Sequence, residues 1–515
     1  MSLKRAHRLQ LLAVCLLLIC TGPAARAQRT RGAGVGDALT SVERSIAQGR
    51  FDEAEQPLLA YAVAHPTDVR ALELLAQLRY GQQRFDEAAA LYRRVLALAP
   101  ARTIAQINLA HAIYEAGQHE EARTLLVAMT KAPPADPRLA LALAEALILV
   151  GEFQPALALT DRLPVALRNT AALPVVAASQ LALGERAKLV ALLPAMRRAA
   201  ANPTVSVRCA EVLQHAGLYA EAIGLLRAAL AAAPDDARVL LLLGQLEIET
   251  HSLASARQHL NRAAALAPRS VEVLSALATL ESAAGNWPAA LAALTQARTL
   301  APTSTSVLAQ ISVTALRANQ PAAALEAASA LVKLQPDEPE ALYLFGAAAL
   351  QSGNLVAARS ALERFVQQQP ADLRGCLALG ITLAGQQDEA QAARAQFERC
   401  LQLDPAHVEA KYQLGLVFKA QGEAAQAIQL LRDVVTRAPE HANAWRDLGA
   451  LYLQTNDAPQ ARAALERALV LNPQDADTHF QLSRLYNRMG DSARAQQHLA
   501  LFQKLKNQRE KASSP

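Results

Sequence analysis

The chain has 515 residues, of which 52% are hydrophobic and 4% aromatic, with a formal net charge of +5. Four of its basic residues (Lys4, Arg5, Arg8 and Arg26) fall in the first 27 positions, which carry no acidic residue. The remainder is therefore almost neutral, 47 basic against 46 acidic, which excludes a global field able to hold nucleic acid.

In chain order, residues 1–27 read as a secretory signal peptide. Lys4, Arg5 and Arg8 form a basic start, Leu11–Cys20 an apolar run, and Ala25-Arg26-Ala27 a small-residue cleavage site. The apolar run is ten residues, too short for a transmembrane span, and Ile19 before Cys20 does not fit a lipoprotein site. This predicts a periplasmic or secreted protein with at most a peripheral association with the envelope. Residues 28–34 read as a flexible leader. Gly32, Gly34 and Gly36 follow no strand, so a linker explains them better than a phosphate loop does.

From there a proline recurs at a fixed interval. Pro66, Pro100 and Pro134 fall 34 residues apart, as do Pro234, Pro268, Pro302, Pro336 and Pro370, and then Pro405, Pro439 and Pro473. A period of this length marks a stacked array. The unit Val408–His441 shows its logic when Val408 is counted as position 1. Lys411, Leu414, Gly415 and Phe418 share one face of a first helix, and Gly422 ends it by accepting a left-handed turn. Ala427, Leu431 and Val434 face inward on a second helix that Pro439 closes. Each helix spans about 13 residues, or roughly 20 Å. Gly415 and Ala427 are read as the small pair that lets the two helices approach.

This pattern resembles the tetratricopeptide repeat family. The family carries a large residue at position 4, Leu at 7, Gly or Ala at 8, an aromatic at 11, Ala at 20 and 27, and Pro at 32. Trp445, Leu448, Gly449, Tyr452, Ala461, Leu465, Ala468 and Pro473 follow it best. The resemblance implies an all-α fold, a right-handed superhelical solenoid of about fourteen helix-turn-helix repeats over residues 35–508, with 509–515 a disordered tail. One solenoid unit cannot bury its apolar face alone; stacking makes the core continuous.

Between Pro134 and Pro234 the register slips, and Pro164, Pro174 and Pro194 stand out of phase. Helices around 134–234 are expected to be shortened or kinked, through drift or because the segment is a hinge. One extra residue lies near Gln386–Asp388.

Outside the first 27 residues there are three cysteines. Cys376 and Cys400 occupy positions that face one another in a hairpin, and read either as a disulfide or as two buried thiols; Cys209 reads as core. His119-Glu120-Glu121 lacks the second histidine of a metalloprotease motif, and the other histidines are scattered and read as surface residues. No catalytic motif, metal set or cofactor is expected, so the chain reads as a non-enzyme.

By the resemblance, positions 2, 5, 9 and 12 of the first helix line a concave groove. Tyr343, Leu377, Ile381, Tyr412, Leu416 and Phe480 are the candidate partner-binding residues there; Leu141, Ile148, Val175, Leu241, Ile248 and Leu350 also fall on the face. Either they dock a partner peptide or helix, or neighbouring repeats bury them. The Lys and Asn clamp of the co-chaperone type is replaced by Tyr412, Leu416, Arg446 and Ala450, and of a sugar-transferase asparagine ladder Asn108 stands but Asp447 does not match. The expected function is an exported protein–protein interaction scaffold for assembly of envelope machinery such as polysaccharide export, pili or secretion. The alternative is a regulatory or substrate-recruiting subunit of an enzyme encoded elsewhere. No nucleic-acid partner is expected.

Overall fold

The structure, a computed structural model, describes residues 35–513. The signal peptide at 1–27, Cys20, the leader at 28–34 and the last two residues lie outside the described residues. Chain contacts divide the molecule into two units, Met1–Pro268 and Arg269–Pro515.

Within each unit, helices follow one another in pairs, and the described residues contain no strand. A regular pair such as Val408–Ala420 and Ala424–Arg437 joins 13 residues to 14 across a three-residue turn. The short turn folds the second helix back along the first as a helical hairpin. Each hairpin then packs on the next, and the first helices of successive hairpins touch as well. The core therefore runs through neighbours only, as expected for a stack of repeats.

Two punctuation marks build the hairpin. Gly422 sits at φ +80°, the left-handed geometry that releases the chain from the first helix. Such positive-φ residues recur at 49, 83, 117 and 151, then 184 and 217, then 251, 285, 319, 353, 388, 422, 456 and 490. Nine are glycines and five are not, fourteen among the described residues, one for each hairpin. The second mark is the proline. The residue before it is extended, as at Ala438 with φ −128° and ψ 76°, because the proline ring disfavours helical geometry there.

The same marks locate the irregularities. Their spacing shrinks to 33 on either side of Gly184 and grows to 35 before Asp388. The extra residue is absorbed in a five-residue turn, 385–389, which also takes one residue from the first helix, Leu373–Ala384, and leaves the second, Ala390–Leu403, at fourteen. Within the segment 134–234 the helices of 153–198 are shorter, while Pro137–Leu149, Pro203–His215 and Tyr219–Ala232 keep 13, 13 and 14 residues. Phe153–Asp161 has nine residues, Val165–Arg168 four and Leu173–Ala182 ten, and the last partner is split into Arg186–Ala191 and Leu193–Arg198. The out-of-phase prolines are helix starters: Pro164 precedes one, and Pro174 and Pro194 stand in the first turn of two more, where a missing N–H costs nothing.

Three expectations are corrected. The residue that needs Gly415 to be small is Leu431, not Ala427: a Cβ there would stand 3.2 Å from the Leu431 side chain. The equivalent positions are tighter, 2.6 Å from Leu362 at Gly346 and 2.6 Å from Leu465 at Gly449. The small residue thus makes a socket for the large side chain at position 24. Next, the final helix Ser492–Ser513 continues through residues 509–513, read from sequence as an unstructured tail. Last, two histidines are not on the surface. His111 is buried, and burial alone depresses its imidazole to about 4; His479 is buried against His498.

Candidate functional site

In the second unit the first helices Pro339–Gln351, Leu373–Ala384, Val408–Ala420, Ala442–Gln454 and Ala476–Arg488 each present positions 5 and 9 on a common side. Leu377, Ile381 and Leu416 are half-buried there, packed at their bases on the core that includes Leu379, Leu414 and Val417. They form a low apolar strip rather than a row of projecting anchors.

Tyr343 opens this strip. Its ring lies 5.4 Å from Phe365 and carries the Arg374 guanidinium 4.4 Å above its face. Arg374 is itself fixed by Asp372 at 2.9 Å and by Glu340 of the preceding repeat at 3.0 Å. A cation over an aromatic face is attracted by the ring quadrupole, so the stack holds both side chains in place. Burial raises the Tyr343 phenol above its ordinary range, and the arginine opposes that shift.

Tyr412 is not on the surface. Only 7% of it is exposed, and its hydroxyl donates to Asp447 Oδ2 at 2.9 Å. Burial, then the Asp447 charge, pushes its phenol far above the usual range. Asp447 also accepts Lys419 Nζ at 2.7 Å and Arg446 at 3.2 Å. Arg446 lies 3.6 Å from Asp475, which caps the helix Ala476–Arg488 through the Thr478 amide at 3.1 Å. This network stitches three successive repeats. Asp447 is the residue that sequence reading passed over, noting it only as a mismatch to an asparagine ladder. The usable signal was an acid at an inward position with Arg446 beside it and a tyrosine and lysine one repeat earlier. A buried carboxylate is tolerated only with such partners.

Phe480 closes the strip and is its most open member, 37% exposed, with Phe502 of the last helix at 5.1 Å and Arg484 at 6.0 Å. In the first unit, Leu141, Ile148, Leu241 and Ile248 are half-buried but Val175 is 1% exposed. Of the two readings of these positions, burial by neighbours describes Tyr412 and Val175, while the others are half-buried or, at Phe480, exposed.

Cys376 and Cys400 are joined as a disulfide, with Cα atoms 5.7 Å apart. The bridge ties the first helix of its hairpin to the second beneath Leu373 and Leu377, in the hairpin whose turn carries the extra residue. Cys209 is a buried free thiol whose ionisation burial pushes up to about 12, so it is an inert core side chain. His407 and His441 have local work: Nδ1 of each accepts the amide three residues on and caps a helix. Among the described residues no group of three His, Cys, Asp or Glu is placed to hold a metal ion, and no helix is long and apolar enough to cross a membrane.

Models of the tetratricopeptide repeat match much of the chain. One matches residues 79–140, 213–280 and 418–477, a second 44–103, 311–372 and 377–442, and a third 464–497; together they cover more than half of it. No curated protein matches. Similar solved structures include the APC/C hetero-tetramer Cut9–Hcn1, 13% identical with a TM-score of 0.42 over 88% of this chain and 96% of that one. A MamA double mutant is 24% identical, TM-score 0.31, over 34% of this chain and 97% of that one. A tetratricopeptide repeat protein from Parabacteroides merdae is 14% identical, TM-score 0.38, over 45% of this chain and 91% of that one.

Proposed function

Because the chain belongs to the tetratricopeptide repeat family, we propose that it is an exported scaffold that docks a partner peptide or helix along the first helices of its second unit. Scaffolds of this family bind proteins and are typically not catalytic, and the site offers packing surface and fixed charges rather than a nucleophile or an acid–base pair. The observation that carries the reading is the half-buried strip of Tyr343, Leu377, Ile381 and Leu416 ending at the open ring of Phe480. An extended or helical segment gains area on such a strip, and an aromatic at its end supplies an anchor of the kind that dominates binding energies. The Cys376–Cys400 bridge supports export, since disulfides persist in oxidising compartments. Assembly of envelope machinery such as polysaccharide export, pili or secretion is the context that fits an exported scaffold, and a peripheral place at the envelope goes with it.

The test is site-specific photo-crosslinking in the native host. Crosslinkers at Leu377, Leu416 and Phe480 should give adducts with one partner, while Val356, 80% exposed on a second helix, should not. Adducts at Val356 and none along the strip would place the interface elsewhere. Processing and the redox state of Cys376 and Cys400 in fractionated cells test export: full-length protein with both thiols free in the cytoplasmic fraction would overturn it.

A further inference from the structure

Ion pairs in this protein are local to a repeat or to neighbouring repeats. The inter-repeat pairs described above join neighbours, and Arg374 to Glu340 and Arg509 to Asp475 reach as far as 34 residues. Arg208 to Glu145 departs from this and reaches much farther, 2.5 Å between Nη1 and Oε1 across 63 residues. Glu145 belongs to the helix Pro137–Leu149 and Arg208 to Pro203–His215, with the first helix of a whole hairpin, Leu173–Ala182, between them.

The pair falls where the repeat geometry fails. Leu173–Ala182 has ten residues where the first helices on either side have thirteen, and its partner is broken at Leu192 into two helices of six. The two long side chains of the flanking first helices meet across this shortened layer. Both are sheltered, with 18% of the Arg208 side chain exposed and 17% of Glu145. A pair in that position is stronger than one in open water, and losing one partner leaves the other charge poorly solvated. Glu211, one turn along from Arg208, adds a second acid. Burial raises its carboxyl, and the charges of Arg208 and His215 pull it back. In the helix between Glu145 and Arg208, Val175 and Ala177 are buried, while the short helices around them have few internal hydrogen bonds of their own.

We propose that Glu145–Arg208 is a latch that holds the first unit closed over Leu173–Ala182, and that releasing it lets the segment 165–198 act as a hinge. The two rigid thirteen-residue helices are the jaws; the short helices between them are the part that gives way.

Hydrogen exchange tests this on the full chain. Glu145→Gln should speed amide exchange in Leu173–Ala182 by about tenfold or more, as expected when one partner of a sheltered pair is removed. The reversed pair, Glu145→Arg with Arg208→Glu, should restore most of the protection. Exchange unchanged in the single variant, or equally fast in the reversed pair, overturns the latch. Should Glu145→Gln disturb folding, lost protection of Ala237–Leu266 in the same unit will report it, and a second arm decides. Raising salt from about 0.05 to 1 M screens a partly exposed pair, so it should speed exchange of Leu173–Ala182 in the parent and not in Glu145→Gln/Arg208→Gln. An equal salt response in both overturns the proposal.

Discussion

The hairpins of residues 339–488 and the segment 134–234 follow the same plan and end differently. In the first stretch first helices of twelve or thirteen residues alternate with second helices of fourteen, and at the tightest sites a glycine socket at position 8 takes the side chain at position 24. In the second, between the thirteen-residue helices Pro137–Leu149 and Pro203–His215, helices of four to ten residues follow one another over 153–198, and an ion pair reaches over a whole hairpin. The difference teaches that the period is carried by the turns and the order by the sockets. Each hairpin of the irregular segment keeps its left-handed turn residue, Gly151, Gly184 and Gly217. What the stretch 153–198 loses is helix length, and with it the internal hydrogen bonds and buried area that make a hairpin rigid.

The largest effect expected is from emptying a fully buried core site in each of the two regions. Leu431 and Leu189 are both fully buried, and Leu→Ala at such sites costs about 2–5 kcal/mol, least where the surroundings can collapse into the hole. Leu431→Ala should fall near the top of that range and Leu189→Ala near the bottom. Urea melts with hydrogen exchange assigned to each region measure both; equal costs would mean that the two regions are equally rigid.

The socket comes next. Gly346→Ala places a methyl 2.6 Å from Leu362 Cγ, whereas Gly415→Ala leaves 3.2 Å to Leu431. The first should destabilise by about 1–3 kcal/mol through overpacking. The second should be close to neutral, since alanine also recovers about 0.5–1 kcal/mol of helix propensity over glycine. Thermal melts that rank the two variants the other way would remove the socket from the account of order.

The smallest effect is a pH response confined to the last hairpin. His479 Nδ1 lies 2.9 Å from His498 Nδ1, and His479 Nε2 lies 3.2 Å from the Pro473 carbonyl. The carbonyl only accepts, so His479 carries its proton on Nε2 and takes a hydrogen bond from His498. Two imidazolium rings cannot share that geometry. Burial, then His479, lowers the His498 imidazole below 6.5, with Glu466 opposing; Tyr486 stacks on the His498 ring and carries Arg494 on its face. A depressed folded-state value means the unfolded chain binds the proton first, so this contribution is complete above 6.5 and is lost as pH falls through the folded value. Exchange in Ser492–Leu505, corrected for intrinsic rates, should rise between about pH 7 and 5. The segment 134–234, whose one histidine is His215, should not follow it. His498→Gln should remove the response.

The sequence by itself determined the all-helical repeat, its number of units, the turn that absorbs the extra residue and the place where the register fails. Those features are local: a glycine that accepts positive φ, a proline that forbids a helical residue before it, and apolar residues at helical spacing act within one unit. Tertiary structure decided what the exposed-looking positions face. Tyr412 and Phe480 occupy the same position in their repeats, yet Tyr412 is turned inward by Asp447 of the next hairpin while Phe480 stays open. Asp447 draws its partners from a neighbouring repeat, and Arg208 reaches Glu145 across 63 residues. No residue pattern within a unit specifies such contacts, because they depend on how closely successive hairpins stack, which is set by the volumes filling each socket along the whole stack.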